Sequence, residues 1–337
     1  MSKGLKYMAR DLTQLELLQQ LSPVAEENVN RHLAVAKDWN PHDYVPWDEG
    51  KNFAALGGVD YSDDQSELGD VAKAAMITNL LTEDNLPSYH REIANNFSTD
   101  DAWGHWVGRW TAEENRHGLA MRDYLVVTRG VDPVALEEAR MIHMTNSFTS
   151  VGVGGDRADE VEAHGGELGL LHTVAYVTFQ ELATRVSHRN TGRACNDPIA
   201  DKMLQRIAAD ENLHMIFYRN VVAAAMDLAP DQTMRAVTDV ICNFQMPGAG
   251  MPNFRRHGVL MAKHGIYDLR QHHEEVVLPI LRKLNVFDRD DFGAQGQADQ
   301  ERLGLFVEKL GEDTLKFEEM RDRALAREAA KREARAS

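Results

Sequence analysis

The sequence predicts an all-α fold. It lacks alternating Val, Ile and Thr runs bounded by hairpin turns. Apolar residues instead recur at helical spacing along much of its 337 positions. Pro and Gly fall where long helices would start and stop. Residues 67–85 place Leu68, Val71, Ala75, Leu80 and Leu81 near helical spacing. Pro87 suits the first turn of a second helical piece reaching about Phe97. Thr99 or Asp100 can cap a long helix ending at Gly130, and a shorter helix follows Pro133. Residues 147–158 are Gly-rich and read as a loop without a complete GxGxxG or Walker pattern. A long helix is expected from about Asp159 to His188, interrupted at Gly165 and Gly166. HRNTGRACNDP, with Gly192 and Pro198, reads as a break. The next helix runs from Pro198 to about Leu228, where Pro230 stops it, and a weaker one runs from Asp231 to near Pro247. MPGAGMPN reads as a second loop and residues 252–290 as two or three shorter helices. The tail from about Asp299 is helical, with an apolar stripe that fades after Ala326. Neither a linker nor a short repeat interrupts this pattern. A single domain over 1–337 is expected, with core helices at about 67–228 and further helices at 231–330.

Composition narrows the function. Hydrophobic residues make up 43% and charged residues 27%, an ordinary globular balance. The net charge of −16 disfavours nucleic acid and anionic membranes as partners. Two cysteines, Cys195 and Cys242, form neither a disulfide framework nor a Cys-rich metal site. No apolar window is long enough to span a bilayer, and the N-terminus shows no apolar core of a signal peptide. A cytoplasmic location is the expectation.

Two Glu-x-x-His sequences stand out, Glu114–His117 and Glu211–His214. With 25 Glu and 14 His in the chain, about one such match is expected by chance. Residues at i and i+3 share a helix face, so each motif can aim a carboxylate and an imidazole at one point. A lone Glu stands ahead of each motif: Glu83 precedes Glu114 by 31 residues and Glu181 precedes Glu211 by 30. Alone, Glu83 reads as a surface carboxylate near a helix end and Glu181 as an ordinary polar residue. The repeated spacing favours joint ligation, since a Glu from each of two helices and Glu-x-x-His from each of two others is the ligand pattern of di-iron carboxylate bundles. Four carboxylates balance two divalent cations, and oxygen donors with imidazole suit iron or manganese.

The segments TEDNLPSYH, WTAEENRHG, FQELATRVSHRNTG and DENLHMIFYRN resemble the acyl-[acyl-carrier-protein] desaturases, soluble enzymes of plants and actinobacteria. The likeness runs from WNPHDYVPW at Trp39 to the helix ending near residue 228, and HREIA, HRNTG and ACNDP are most similar to the mycobacterial branch, linked to fatty-acid and mycolate-precursor synthesis. The resemblance implies a ferritin-like di-iron four-helix core elaborated with additional helices. It implies two Fe ions (Fe2+/Fe3+) held by Glu83, Glu114, His117, Glu181, Glu211 and His214, with Glu114 and Glu211 bridging. It also implies Thr184 beside the oxygen-binding face, Asp210 as the carboxylate partner of a ligating histidine, and Trp39 on an electron path to the iron. On residues alone, Thr184 is equally well a threonine bonded back to the preceding turn, and Trp39 is more readily a core anchor. Plant members commonly carry Glu where this chain has Asp84, so no preference for chain length or double-bond position is carried over.

The implied reaction inserts a cis double bond into a saturated acyl chain on acyl carrier protein. O2 is the oxidant and two electrons come from a ferredoxin-type donor. No dinucleotide fingerprint occurs, in keeping with a protein reductant. Another di-iron oxidase, a radical-generating reductase subunit with Tyr218 near the metal, and a non-catalytic iron- or carrier-binding homologue are the alternatives. Met76, Leu80, Trp110, Phe179 and Met215 are candidates to line an acyl tunnel. Both protein partners are acidic, so docking needs local basic patches. Candidates are Arg185, Arg189 and Arg193, the cluster Arg255, Arg256 and His257, and Lys202 with Arg206. The resemblance also implies a homodimer.

Overall fold

In the computed structural model, residues 10–146, 169–246, 248 and 251–336 are described, and among them no strand occurs. The N-terminal nine residues, the Gly-rich loop at 147–158 and the helix start expected near Asp159 lie outside the described residues or largely so.

Helix α1 (Gln14–Val35) opens on a reciprocal cap: the Thr13 hydroxyl accepts from Glu16 N, and Thr13 N donates to the Glu16 carboxylate. It buries Leu17, Leu21, Ala25, Asn28, Val29 and His32, spaced three or four apart along one face. The sequence reading assigned no helix here. Short 3₁₀ turns lead to α2 (Asp70–Asp84), followed by α3 (Leu86–Asn96), α4 (Asp101–Val127) and α5 (Pro133–Asn146). Asp100 is the cap residue of α4, though its side chain makes no capping bond, and the helix stops three residues short of the expected Gly130.

Helix α6 (Leu170–Cys195) corrects the expected break at His188. It runs on through Asn190 and Gly192 because that glycine lies against the next helix: a Cβ there would stand 2.8 Å from Asp201 Oδ1. Asn196, left-handed at φ 51°, ends it. Asp197 then caps α7 (Pro198–Leu228), accepting from Ile199 N at 2.8 Å. Helix α8 (Pro230–Cys242) is shorter than expected. Next come α9 (Phe254–Lys263), α10 (Leu269–Gln271), a π turn (His272–Val277) and α11 (Leu278–Leu284). Helix α12 (Ala294–Ala336) starts five residues ahead of its expected origin.

Helices α2, α4, α6 and α7 form the central bundle, with α1 packed on α4 and α7. Two apolar clusters fill it. One gathers Trp103, Trp106, Trp110, Phe179, Phe217 and Tyr218, and the other Leu68, Met76, Leu80, Met121, Leu204 and Ile207. Helices α4 and α6 run from the first cluster to the second, while α2 and α7 run the opposite way. Between the clusters lies a layer of buried acids and histidines. Burying such groups costs several kcal/mol each (order of magnitude) unless they find partners.

Candidate metal centre

Each central helix brings its middle or final turns to that layer. Glu83 sits at the end of α2, Glu114 and His117 on α4, Glu181 on α6, and Glu211 and His214 on α7. All six are at most 7% exposed. Ligand-capable atoms of Glu83, Glu114, His117 and Glu211 lie within 4.8 Å of one another, and so do those of Glu114, Glu181, Glu211 and His214. The two tetrads share Glu114 and Glu211, the geometry of two adjacent cation positions joined by two carboxylates. His117 Nδ1 stands 3.1 Å from Glu211 Oε1, and His214 Nδ1 stands 2.8 Å from Glu114 Oε1 and 3.4 Å from Glu181 Oε2. These contacts are not aligned as hydrogen bonds. Glu114 Oε1, His117 Nδ1, Glu181 Oε2, Glu211 Oε1 and His214 Nδ1 are all buried without a hydrogen-bond partner. Five orphaned ligand-capable atoms converging from three helices, with Glu83 of a fourth beside them, fit a pair of divalent cations, because buried polar atoms otherwise find partners.

Electrostatics point the same way. Burial, then the charges of Glu114 and Glu211, push the Glu181 carboxyl well above its ordinary range. Burial and Glu211 also push Glu83 upward, but the His117 and His188 rings outweigh them and leave it lowered. Burial would depress both ligand-set imidazoles, yet the surrounding carboxylates hold His117 and His214 well above the usual value. The layer is a negative hole suited to positive charge.

Flanking residues give five of the six groups, all but Glu114, an outer partner. His117 Nε2 faces Asp210 Oδ2 at 3.4 Å, and His214 Nε2 faces Glu113 Oε2 at 2.9 Å. Asp210 thus stands behind His117 of the other motif, not behind its own neighbour His214. Trp39 Nε1 donates to Asp210 Oδ2 at 2.7 Å, its ring is stacked 6.2 Å from that of His117, and the Arg116 guanidinium lies 4.6 Å above the indole. The Thr184 hydroxyl faces Glu211 Oε2 at 2.9 Å and the Glu181 carbonyl at 3.0 Å. The second contact is the bond back to the preceding turn, and the first brings the hydroxyl to one of the proposed ligands. Trp110 Nε1 donates to Glu181 Oε1 at 2.9 Å and His188 Nε2 meets Glu83 Oε1 at 2.9 Å.

Sequence reasoning missed Glu113, His188, Arg116 and His32. Their signals were present. Glu113 precedes Glu114 as Asp210 precedes Glu211, and His188 falls two helical turns after Glu181. His32 depends on α1, which the T-x-x-E pattern at Thr13–Glu16 announces.

A family model described as fatty acid desaturase matches residues 13–336. The chain belongs to the fatty acid desaturase family. It is 53% identical over 322 residues, covering 96% of this chain and 93% of the relative, to DesA1 of Mycobacterium tuberculosis, which is named as an acyl-[acyl-carrier-protein] desaturase. It is 29% identical to the chloroplastic stearoyl-[acyl-carrier-protein] 9-desaturase of Ricinus communis, covering 90% of this chain and 67% of that one. The X-ray structure of DesA2 from Mycobacterium tuberculosis matches with a TM-score of 0.62 at 32% identity, over 80% of this chain and 98% of that one.

In this member of the family, two openings flank the acidic layer. A largely apolar slot of about 30 Å³, lined by Tyr89, Ile93, Trp110, Tyr176 and Val177 together with Glu92, Thr173 and Gln180, reaches Glu181 through Trp110. A cavity of about 90 Å³ touches Glu83, Thr184 and His188 and extends to Phe254, Met261 and Tyr267. Of the five tunnel candidates, Trp110 lines the slot, while Met76, Leu80, Phe179 and Met215 are packed in the two cores. The basic groups also separate. Arg206 turns inward to Asp210, Arg189 pairs with Asp201 at 2.9 Å, and Lys202 lies 5.7 Å from the Tyr44 ring. Arg255 and Arg256 are exposed beside Phe254, which lines the cavity. No helix among the described residues is long and apolar enough to cross a membrane.

Proposed function

We propose that this chain is an iron-dependent acyl-[acyl-carrier-protein] desaturase that introduces a cis double bond into a saturated acyl chain, in fatty-acid or mycolate-precursor synthesis. The two tetrads sharing Glu114 and Glu211 carry the reading. The relatives' names supply the thioester carrier. The balanced reaction is R–CH2–CH2–R′ + O2 + 2 e⁻ + 2 H⁺ → R–CH=CH–R′ + 2 H2O. Bound iron supplies the oxidising power that no acid–base group can bring to an unactivated C–H bond.

The protein's own residues do the rest. Glu83, Glu114, His117, Glu181, Glu211 and His214 hold the metal pair. In this reading the slot lined by Trp110 marks the entry of the methylene chain and must widen from its volume of about 30 Å³ to admit it and keep it from water. The Thr184 hydroxyl holds a proton 2.9 Å from Glu211 Oε2, at the edge of the cavity. Trp39, Asp210 and His117 form a contiguous contact path from the bundle's outer layer to the metal positions, suited to electrons from a ferredoxin-type donor. Arg255 and Arg256 offer an acidic carrier protein a landing point beside the cavity. Tyr218 packs behind Trp106, with ring centroids 5.6 Å apart, and the radical-generating alternative gains no support from that placement. The whole chain acts as one catalytic unit, and a homodimer is the expected assembly.

The test is mass spectrometry of acyl-carrier-protein substrates incubated with iron-loaded protein, a ferredoxin reducing system and O2. The expected product is two mass units lighter with a cis alkene, and Glu114→Ala abolishes it. Retention of both iron and activity in Glu114→Ala would show the site to be wrong.

A further inference from the structure

The carboxylates behind the two ligand-set histidines are matched, but their outer neighbours are not. Glu113 and Asp210 each take an arginine from four residues earlier on their own helix, Arg109 at 2.6 Å and Arg206. Arg116 reaches towards both, standing 3.0 Å from Asp210 Oδ2 and 3.8 Å from Glu113 Oε1. Beyond Asp210 stands Trp39. Beyond Glu113, in the corresponding place, stands His32 from the last turn of α1: its Nε2 lies 2.9 Å from Glu113 Oε2 and its ring is stacked 5.8 Å from His214. His32 is 1% exposed, its Nδ1 has no hydrogen-bond partner, and Trp106 closes over it edge-on at 5.1 Å.

One carboxylate oxygen facing two ring nitrogens accepts from both, which assigns the proton of each ring to Nε2. The Nδ1 lone pair of His214 is then left free towards Glu114 and Glu181. We infer that His32 is a positioning residue for the second metal: it locks Glu113, and through it the tautomer and orientation of His214. The metal position built on His214 therefore depends on α1 being docked, whereas the one built on His117 depends on Trp39. This rests on the metal-centre reading above. Outer partners of ligating histidines typically change metal affinity by about 10–100-fold.

The experiment titrates the metal-free full-length chain with Fe2+ under anaerobic conditions and records 57Fe Mössbauer spectra. His32→Phe removes the donor but keeps a ring, and is expected to weaken one of two equivalents by about 10–100-fold, leaving the other unchanged and displacing one quadrupole doublet. His32→Gln, whose amide can donate to Glu113, should restore both. If His32→Phe fails to fold, His32→Asn, too short to reach Glu113, takes its place with the same expected loss. A folded variant that titrates and absorbs like wild type overturns the inference, as does equal weakening of both equivalents or failure of His32→Gln to rescue. Wild type binding fewer than two equivalents would instead sink the metal-centre reading and this inference with it.

Discussion

The two half-motifs supply like ligands and face unlike surroundings. Glu83 is met by an imidazole, His188, and borders the cavity that leads towards Arg255 and Arg256. Glu181 is met by an indole, Trp110, which itself lines the apolar slot. The difference teaches that repeated spacing brings like ligand-capable groups into two tetrads, while residues outside the motif shape the opening beside each one. The cavity side lies near the exposed Arg255 and Arg256, and the slot side is lined chiefly by aromatic and aliphatic residues.

The most severe way to break this comparison is to remove a terminal carboxylate. Glu83→Ala and Glu181→Ala should each lose one of two metal equivalents by elemental analysis. Turnover should fall by more than about 100-fold, beyond the effect of losing an outer partner. A substitution that empties both positions, or neither, would refute the division into two tetrads. Filling the slot comes next. Val177→Trp should lower kcat/KM for long acyl chains by about 10–100-fold, the scale on which methylenes are discriminated in apolar pockets. Shorter chains should suffer less in a competition assay read by mass spectrometry. Equal loss for all lengths would remove the slot from the acyl path. The smallest effect belongs to the cavity side. Arg255→Glu with Arg256→Glu should raise the KM for the carrier-linked substrate by about 10-fold at low salt, with kcat unchanged, since rim charges act chiefly on encounter. The gap between variant and wild type should close as salt rises, and a salt-independent difference would argue against docking there.

The six proposed ligands were legible because helical geometry converts i, i+3 spacing directly into a shared face, and because the lone Glu recurs at nearly the same interval. The long helices were legible from their stops: Pro198 and Pro230 bracket α7 as the structure has it. Other features depend on tertiary context. Asn190 and Gly192 read as a break because their propensities are poor, yet packing of Gly192 against Asp201 carries α6 through them. Helix α1 went unread although Thr13, Glu16, Leu17 and Leu21 mark its start, and His32 was lost with it. Four of the five tunnel candidates pack in cores and only Trp110 lines the slot, because an apolar stripe looks the same whether it lines a void or fills a core. Met76 and Leu80 are both fully buried, on the opposite side of the acidic layer from the slot.

The sandwich of two apolar clusters around that acidic layer bears on how the protein comes into being. Each cluster can gather its own helix segments by hydrophobic burial. The middle gains little by that route, because four carboxylates meet there and must be balanced by protons or by bound cations. In the proposed enzyme, ion capture would follow assembly of the bundle and supply the clasp that joins its two ends. Metal supply in the cell would then govern how much chain reaches its finished form, as well as how much of it turns over.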